Sequence, residues 1–562
     1  MIFASGRYSV VRGLGCAGLV LALAGARLGA AAGDAAVAPF EVAPHTLVTE
    51  THYADRSDEH AELVWERAWQ LHPSERRIEL TANVVTFEDP ATGAGFVWLR
   101  QAPTAVVRTW DPEPALVLER RDGRWLATPG RTAVPYAVQR VPFRGGATGR
   151  TEALHAWQRA QQPARAGRDG LLLSNTWGDR SRADKLSEDF IRAEIDRAAA
   201  LGVEVVQIDD GWQRGRTANT VAQGGVWNGF WAADSAYWTP DPVRFPRGLG
   251  PLVAYARERG LRLGLWYAPD SADECANWER DAAQILSLWR DLGVAHFKLD
   301  AVKLLTPRCE ERFRALLDRL HTGSHGEILV DLDTTAEARL GFWGRPAGAD
   351  IFVENRYTDR ASYYPHTTLR MLWSLAATVQ PARLRVEFLN PARNDARYAA
   401  DPLRPALYPP ETLFAIAMLG SPLAWFENTG LGDDFVARVA PLVALWKRHR
   451  AELHGGAVLP LGARPDGYAW TGFLVVDAAG TPRHLLVFRE ASPEAEQTLA
   501  WPRGVPAANG WTRVAGRGEA VERAESGALT VRVSEPRQFL WLQADREPAA
   551  PSTGAAGAGT PR

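Results

Sequence analysis

The sequence predicts a (β/α)8 TIM barrel carried between an N-terminal β-sandwich domain and a smaller C-terminal β domain. Three observations lead there. In the central half, apolar strand-like runs alternate with segments of helical spacing, which calls for a parallel sheet with helices packed against it. Eight such runs occur, the number that closes a barrel. On either side the pattern changes to period-two alternation broken by Pro, Gly and Asp.

Taken in order, residues 1–32 read as an export signal. Arg7 and Arg12 form its charged region, CAGLVLALAGA its apolar run and GAAAG a small-residue cleavage site. The apolar run is too short for a membrane anchor, so the mature chain is expected to be periplasmic or secreted, with no membrane span. Residues 33–165 form the expected sandwich. RRIELTANVVTFEDP and GFVWLRQAP alternate, PALVLERRDGRWLATPG reads as a hairpin around Arg121 to Gly123, and a helix is expected only at HAWQRAQQPARAG.

The barrel is expected over residues 166–452. Its strands are LLLSNTW, VEVVQIDDGW, LRLGLWYAP, VAHFKLD, EILVDLD, DIFVENR, RLRVEFLN and PLAWFEN. In the first helical segment Leu186, Phe190, Ile195 and Ala198 are expected to share the buried face. The connection between DLD and DIFVENR is short and irregular. Residues 453–546 alternate again and form the second β domain, and the Pro/Ala/Gly tail 547–562 is expected to be disordered.

A net charge of −2 gives no electrostatic case for nucleic acid or an anionic membrane, and a weakly charged substrate fits better. The 22 tryptophans supply flat apolar faces of the kind sugars use, although many must be core. Of three cysteines, Cys275 and Cys309 remain after the leader and can pair in an oxidising compartment.

Chemistry concentrates where a barrel places it, at the strand ends. Asn175, Trp177, Asp179, Asp209, Asp210, Trp212, Trp266, Lys298, Asp300, Asp331, Asp333, Glu354, Arg356, Asp359, Glu387, Asn390, Glu427 and Asn428 all fall there. Turn-forming and helix-capping account for some of them, Asp333 and Asn390 most readily. In HFKLD, residues two apart face alike, so Lys298 and Asp300 project together. Only four of the 64 basic Lys and Arg residues are lysines, and Lys298 and Lys303 flank this aspartate. An ammonium beside a carboxylate favours the ionised form a nucleophile needs. Metal hydrolysis would want histidines at these ends, and His296 is mid-strand while His366 lies beyond strand six; no metal or cofactor is expected. Clustered carboxylates with aromatic platforms point to glycoside hydrolysis.

QIDDGWQ after strand two, KLD ending strand four and the flanking β domains together resemble family 36 of the glycoside hydrolases, in the α-galactosidase (melibiase) clan. The resemblance implies a metal-free, retaining exo-α-galactosidase acting on a carbohydrate. It implies that Asp300 is the nucleophile, that Lys298 binds sugar hydroxyls beside it, and that Asp209 and Asp210 grip the O4 and O6 side of galactose. Trp177, Trp212, Trp266 and Arg356 are the further substrate-binding candidates. The acid/base follows strand six, where Asp359 lies beyond the strand end and Glu354, nearer its body, is the alternative. A β-L-arabinopyranosidase, an α-N-acetylgalactosaminidase, a transglycosylase or a non-catalytic glycan-binding protein are the other readings of the same scaffold.

Overall fold

The structure, a computed structural model, describes residues 38–53, 64–103, 114–131, 136–333, 348–353, 356–523 and 528–545. The expected leader and tail, the connection between strands five and six, and Glu354 lie outside these residues. Among the described residues no helix is long and apolar enough to cross a membrane.

The N-terminal domain is a two-sheet sandwich. One sheet orders Phe40–Val42, Arg124–Pro129, Leu116–Arg121 and Arg77–Leu80; the other orders Val64–Gln70, Leu47–Tyr53, Val84–Asp89, Ala94–Arg100 and Val138–Phe143. Between them lie Val48, Val85, Phe87 and Trp98 from one side and Ile78, Leu116, Leu118 and Trp125 from the other. The expected hairpin is present, with Arg121 paired to Arg124. Its two turn residues, Asp122 and Gly123, both have positive φ, as a two-residue hairpin matched to strand twist requires.

The five-stranded sheet is buried on its second face as well. Tyr53, Val84, Val97, Leu99, Val141 and Phe143 belong to the same core as the barrel helices, and the Tyr53 hydroxyl meets Thr378 Oγ1 at 2.6 Å. The helix expected at HAWQRAQQPARAG instead runs Gly146–Gln161. Glycines at its start hide it from a periodicity reading, yet Gly149 is required there, since a Cβ would lie 1.7 Å from the Arg144 carbonyl oxygen.

The barrel is closed and wholly parallel, with its strands in chain order. Its elements are β1 (Leu173–Asn175), α1 (Glu188–Leu201), β2 (Val205–Ile208), α2 (Gly250–Glu258), β3 (Arg262–Tyr267), α3 (Trp278–Leu292), β4 (His296–Leu299), α4 (Pro307–Gly323), β5 (Leu329–Asp333), β6 (Ala349–Phe352), α5 (Pro365–Ala376), β7 (Leu384–Phe388), α6 (Pro410–Ala417), β8 (Ser421–Ala424) and α7 (Asp433–Gly455). Helix α1 shows why these segments fold locally. The Ser187 side chain caps the Phe190 amide, Glu188 and Asp189 face the positive end of the helix dipole, and Gly202 ends it in the left-handed region. Its buried apolar residues are Ile191, Ile195, Ala198 and Leu201; Phe190 is only partly buried, because the face lies one residue round from the expected one.

Beyond α7 a five-stranded sheet orders Ala457–Gly462, Trp470–Val476, Pro482–Arg489, Gln538–Ala544 and Trp511–Gly516. A three-stranded sheet, Glu496–Ala500, Ala528–Arg532 and Glu519–Arg523, lies beside it.

Cys275, just after β3, is bonded to Cys309 in the first turn of α4, with their Cα atoms 4.9 Å apart. Thr306 caps that same turn by accepting from the Cys309 amide at 3.2 Å. The bridge therefore ties the loop after β3 to the helix that follows Asp300. It closes a span of 34 residues, worth about 3–4 kcal/mol in lost unfolded-chain entropy. Cys309→Ser is expected to lower the melting temperature measurably. Mass spectrometry of the unreduced mature protein, without the leader that carries Cys16, should find no free thiol; two free thiols would exclude the bridge.

Candidate active site

The mouth of the barrel is organised by a lysine. Lys298, on β4 and 2% exposed, places its ammonium 3.0 Å from Asp209 Oδ2, 2.9 Å from Asp333 Oδ2 and 3.6 Å from Asp300 Oδ2. The Trp425 ring lies 5.0 Å away on another side. Burial works against the charged amine. The three carboxylates outweigh it and hold the pKa well above the usual lysine value.

Asp300 stands immediately past the end of β4. Its Oδ1 accepts from the Ala301 amide at 2.6 Å and its Oδ2 from the Trp266 indole N–H at 3.0 Å. The carboxyl remains 17% exposed, against 3% or less for the other two carboxylates around Lys298. It is the member of the group open to a substrate. Ala301 adopts a positive φ of 59°, an uncommon conformation for a residue with a side chain, and its amide is turned back onto the carboxylate.

Asp209 is held from three sides, by Asn175 Nδ2 at 2.8 Å, by Lys298, and by the Asp210 amide on Oδ1 at 2.8 Å. Asp210 accepts from Gln213 Nε2 at 2.8 Å and from the Thr217 hydroxyl. Burial pushes its pKa up to about 7 despite those two hydrogen bonds, with Asp209 and Asp300 adding to the rise. The glycine of IDDGW is explained here. Gly211 has φ 116°, and a Cβ on it would lie 2.6 Å from that of Ala183.

Several expected residues are placed differently. Trp212 is fully buried, with its indole N–H on the Trp266 carbonyl at 2.7 Å, so it braces β3 from the core. Trp266 is 1% exposed and serves the site through its N–H on Asp300. Trp177 packs inside the barrel with Trp425, Tyr357 and Tyr363. Arg356 is buried and donates to Thr367 Oγ1 at 2.6 Å, while its amide donates to Glu387 Oε1 at 3.1 Å; it anchors the loop after β6 to α5. Asn390 is the expected turn former, accepting from the Ala392 amide at 3.0 Å. Asp333 is not primarily one, since it reaches Lys298.

Asp331, two residues before Asp333, lies deeper. It pairs with Arg385 NH2 at 2.8 Å, and Arg385 also reaches Asp350 at 3.3 Å. Asp359 sits in a short 3-10 turn, Thr358–Arg360, beyond β6, 31% exposed and with Arg180 Nε 3.6 Å from its Oδ2. On the β8 side Asp179 accepts from the Glu427 amide at 3.1 Å. Burial, then the Glu427 charge, push it up to about 7.

Among the described residues the one group of side chains close enough to share a metal ion is His449, Glu452 and His484, on α7 and the C-terminal domain, away from the mouth. The Trp541 indole donates to His484 Nδ1 at 3.3 Å. The ring proton of His484 therefore sits on Nε2, facing Glu452 at 3.1 Å, which leaves no lone pair there for an ion.

No family model matches the chain. Curated relatives match over segments. An α-galactosidase from Escherichia coli is 35% identical over 82 residues, covering 15% of this chain and 10% of the relative. α-Galactosidase 2 from Pediococcus pentosaceus is 28% identical over 125 residues, covering 22% and 15%. These matched segments span well under a quarter of either relative's length. Solved structures match far more of the fold. The galactosidase domain of the α-galactosidase–sucrose kinase AgaSK aligns with a TM-score of 0.63 at 13% identity, covering 90% of this chain and 75% of that one. The family 36 α-galactosidase AgaA from Geobacillus stearothermophilus aligns with a TM-score of 0.58 at 15% identity, covering 90% and 76%.

The fold is that of the family 36 glycoside hydrolases. It is the fold that the resemblance read from IDDGW and KLD implied.

The raised Asp210 carboxyl has a pH consequence. A carboxyl with a folded pKa above its unfolded value contributes stability that is present below about pH 4 and is lost as pH rises toward 7. Asp210→Asn removes that loss. Its melting temperature is expected to fall less than that of the unsubstituted protein between pH 4 and 7. Parallel curves would show that Asp210 does not titrate there.

Proposed function

We propose that this chain is a retaining exo-α-galactosidase that removes terminal α-D-galactosyl residues from oligo- or polysaccharides. The observation that carries the reading is the Asp300 carboxyl. It stands past β4 at the mouth of the barrel, oriented through both oxygens by the Trp266 and Ala301 N–H groups, beside the Lys298 ammonium, and partly open.

In this reading Asp300 attacks the anomeric carbon and forms the glycosyl-enzyme. Asp359 protonates the departing glycosidic oxygen, and then, as a carboxylate, takes a proton from the water that releases the sugar. Lys298 and Asp209 lie within reach of hydroxyls on a sugar seated against Asp300. A carboxylate offers about four acceptor sites, and the protein hydrogen bonds to Asp209 and Asp210 leave some for a sugar. AgaA variants have been solved with raffinose and with stachyose, α-galactosyl oligosaccharides of the class proposed here. The Cys275–Cys309 bond supports an oxidising compartment, in keeping with a periplasmic or secreted enzyme.

Asp300→Gly is expected to lose several orders of magnitude in kcat on an aryl α-galactoside while keeping its melting temperature. Added azide should restore turnover and yield a glycosyl azide. Near-normal activity of the variant would remove Asp300 from the reaction. Proton NMR of the unsubstituted enzyme's early product should show the α-anomer first; β-galactose first would mean inversion. Asp359→Ala should be slow on substrates with poor leaving groups and much less impaired on activated ones. If Glu354→Ala shows that pattern instead, Glu354 is the acid.

A further inference from the structure

Arg180 lies in the turn after β1, far in sequence from either proposed catalytic carboxylate. Its Nε is 3.6 Å from Asp359 Oδ2, and its guanidinium carbon sits over the Tyr357 ring at 4.4 Å. The side chain is 19% exposed. It is thus pinned between an aromatic face and the carboxylate two residues further along the same loop. Neither Arg180 Nε nor Asp359 Oδ1 has a hydrogen-bond partner. The contact is a charge pair held just beyond hydrogen-bond length.

The backbone that delivers Arg180 is costly to build. Its φ is +60°, a left-handed conformation disfavoured for a residue with a side chain, and such strain persists only where neighbours over-determine it. The neighbours are present. The Arg180 amide donates to the Trp177 carbonyl at 2.8 Å. The adjoining Asp179 is tied through its carboxylate to the Glu427 amide and through its carbonyl to Arg393 NH2 at 3.3 Å.

The same strap continues toward the nucleophile. The Trp177 amide donates to Asn175 Oδ1 at 2.8 Å, Asn175 Nδ2 to Asp209 Oδ2 at 2.8 Å, and Asp209 pairs with Lys298 at 3.0 Å. Lys298 stands 3.6 Å from Asp300. A continuous chain of polar contacts therefore runs from Asp300 across β4, β2 and β1 to the loop after β6, and Arg180 is its last link.

We propose that Arg180 is the positioning residue for the acid/base Asp359, holding that carboxyl in register with Asp300. The inference rests on the reading of Asp359 as acid/base. It assigns to the β1 turn a function that the motifs on β2 and β4 do not supply. Positioning of a proton donor affects only steps that need the proton. An error of about 1 Å in such a group costs up to roughly 10²-fold in rate.

The test compares Arg180→Gln, Arg180→Lys, Asp359→Ala and the Arg180→Gln/Asp359→Ala double variant on aryl α-galactosides of graded leaving-group basicity, with melting temperatures recorded for each. Arg180→Gln is expected to lose roughly 10–10²-fold in kcat/KM, which reports formation of the glycosyl-enzyme alone, on the most basic leaving group and little in kcat/KM on 2,4-dinitrophenolate. Arg180→Lys should recover part of the loss, and the double variant should be no slower than Asp359→Ala, as coupled groups behave. A loss uniform across leaving groups, or no loss, overturns the inference while an intact Asp359→Ala pattern leaves the acid assignment standing. If Asp359→Ala itself shows no dependence on the leaving group, the acid assignment fails and this inference falls with it.

Discussion

A buried lysine ammonium surrounded by carboxylates is the constraint on which the rest of the mouth depends. Taking one positive charge out of water costs several kcal/mol, and three acids within 3.6 Å repay it only if each is held in place. The holding is visible. Asn175 and the Asp210 amide fix Asp209, Trp266 and Ala301 fix Asp300, and β5 carries Asp333 in from the side. Remove the ammonium and three acids face one another at short range. Remove one acid and the others still balance the charge. The arrangement tolerates change at its rim more readily than at its centre, and Asp300, the most exposed of the three, is at the rim.

Beneath this layer the barrel interior is charged again. Arg385 spans Asp331 and Asp350 and donates to the Leu171 carbonyl at 3.0 Å. An apolar ring that includes Leu173, Val205, Phe352 and Leu423 lies within the same barrel. Two charged layers in one barrel lumen explain why so many strands end in Asp, Asn or Glu. Part of that polarity serves the lower layer and part serves the mouth.

Much of this was legible in the sequence, and what was not has identifiable causes. Eight apolar runs gave the barrel because burial on both faces leaves near-continuous hydrophobic strands. The period of two placed Lys298 beside Asp300. The same parity does link Asp331 to Asp333, but it cannot say that one faces Arg385 and the other Lys298, because depth along the barrel axis depends on strand stagger. Trp212 and Trp266 were substrate-binding candidates because an indole reads the same in a core and in a pocket; only their partners, a backbone carbonyl and the Asp300 carboxyl, distinguish them. Arg180 left no trace, since one arginine among so many acquires meaning only through the turn that carries it and a loop nearly two hundred residues away. The helix at Gly146 was hidden by the glycines it needs to pass close to Arg144.

The N-terminal sheet that is buried on both faces has a consequence for how the chain comes into being. Tyr53 and its barrel partner Thr378 are separated by 325 residues, so the sandwich leaves the ribosome long before the barrel helices that cover part of its second side exist. Until then an apolar sheet surface is open to other chains, and closing it requires contacts of very high sequence separation, the slowest kind to form.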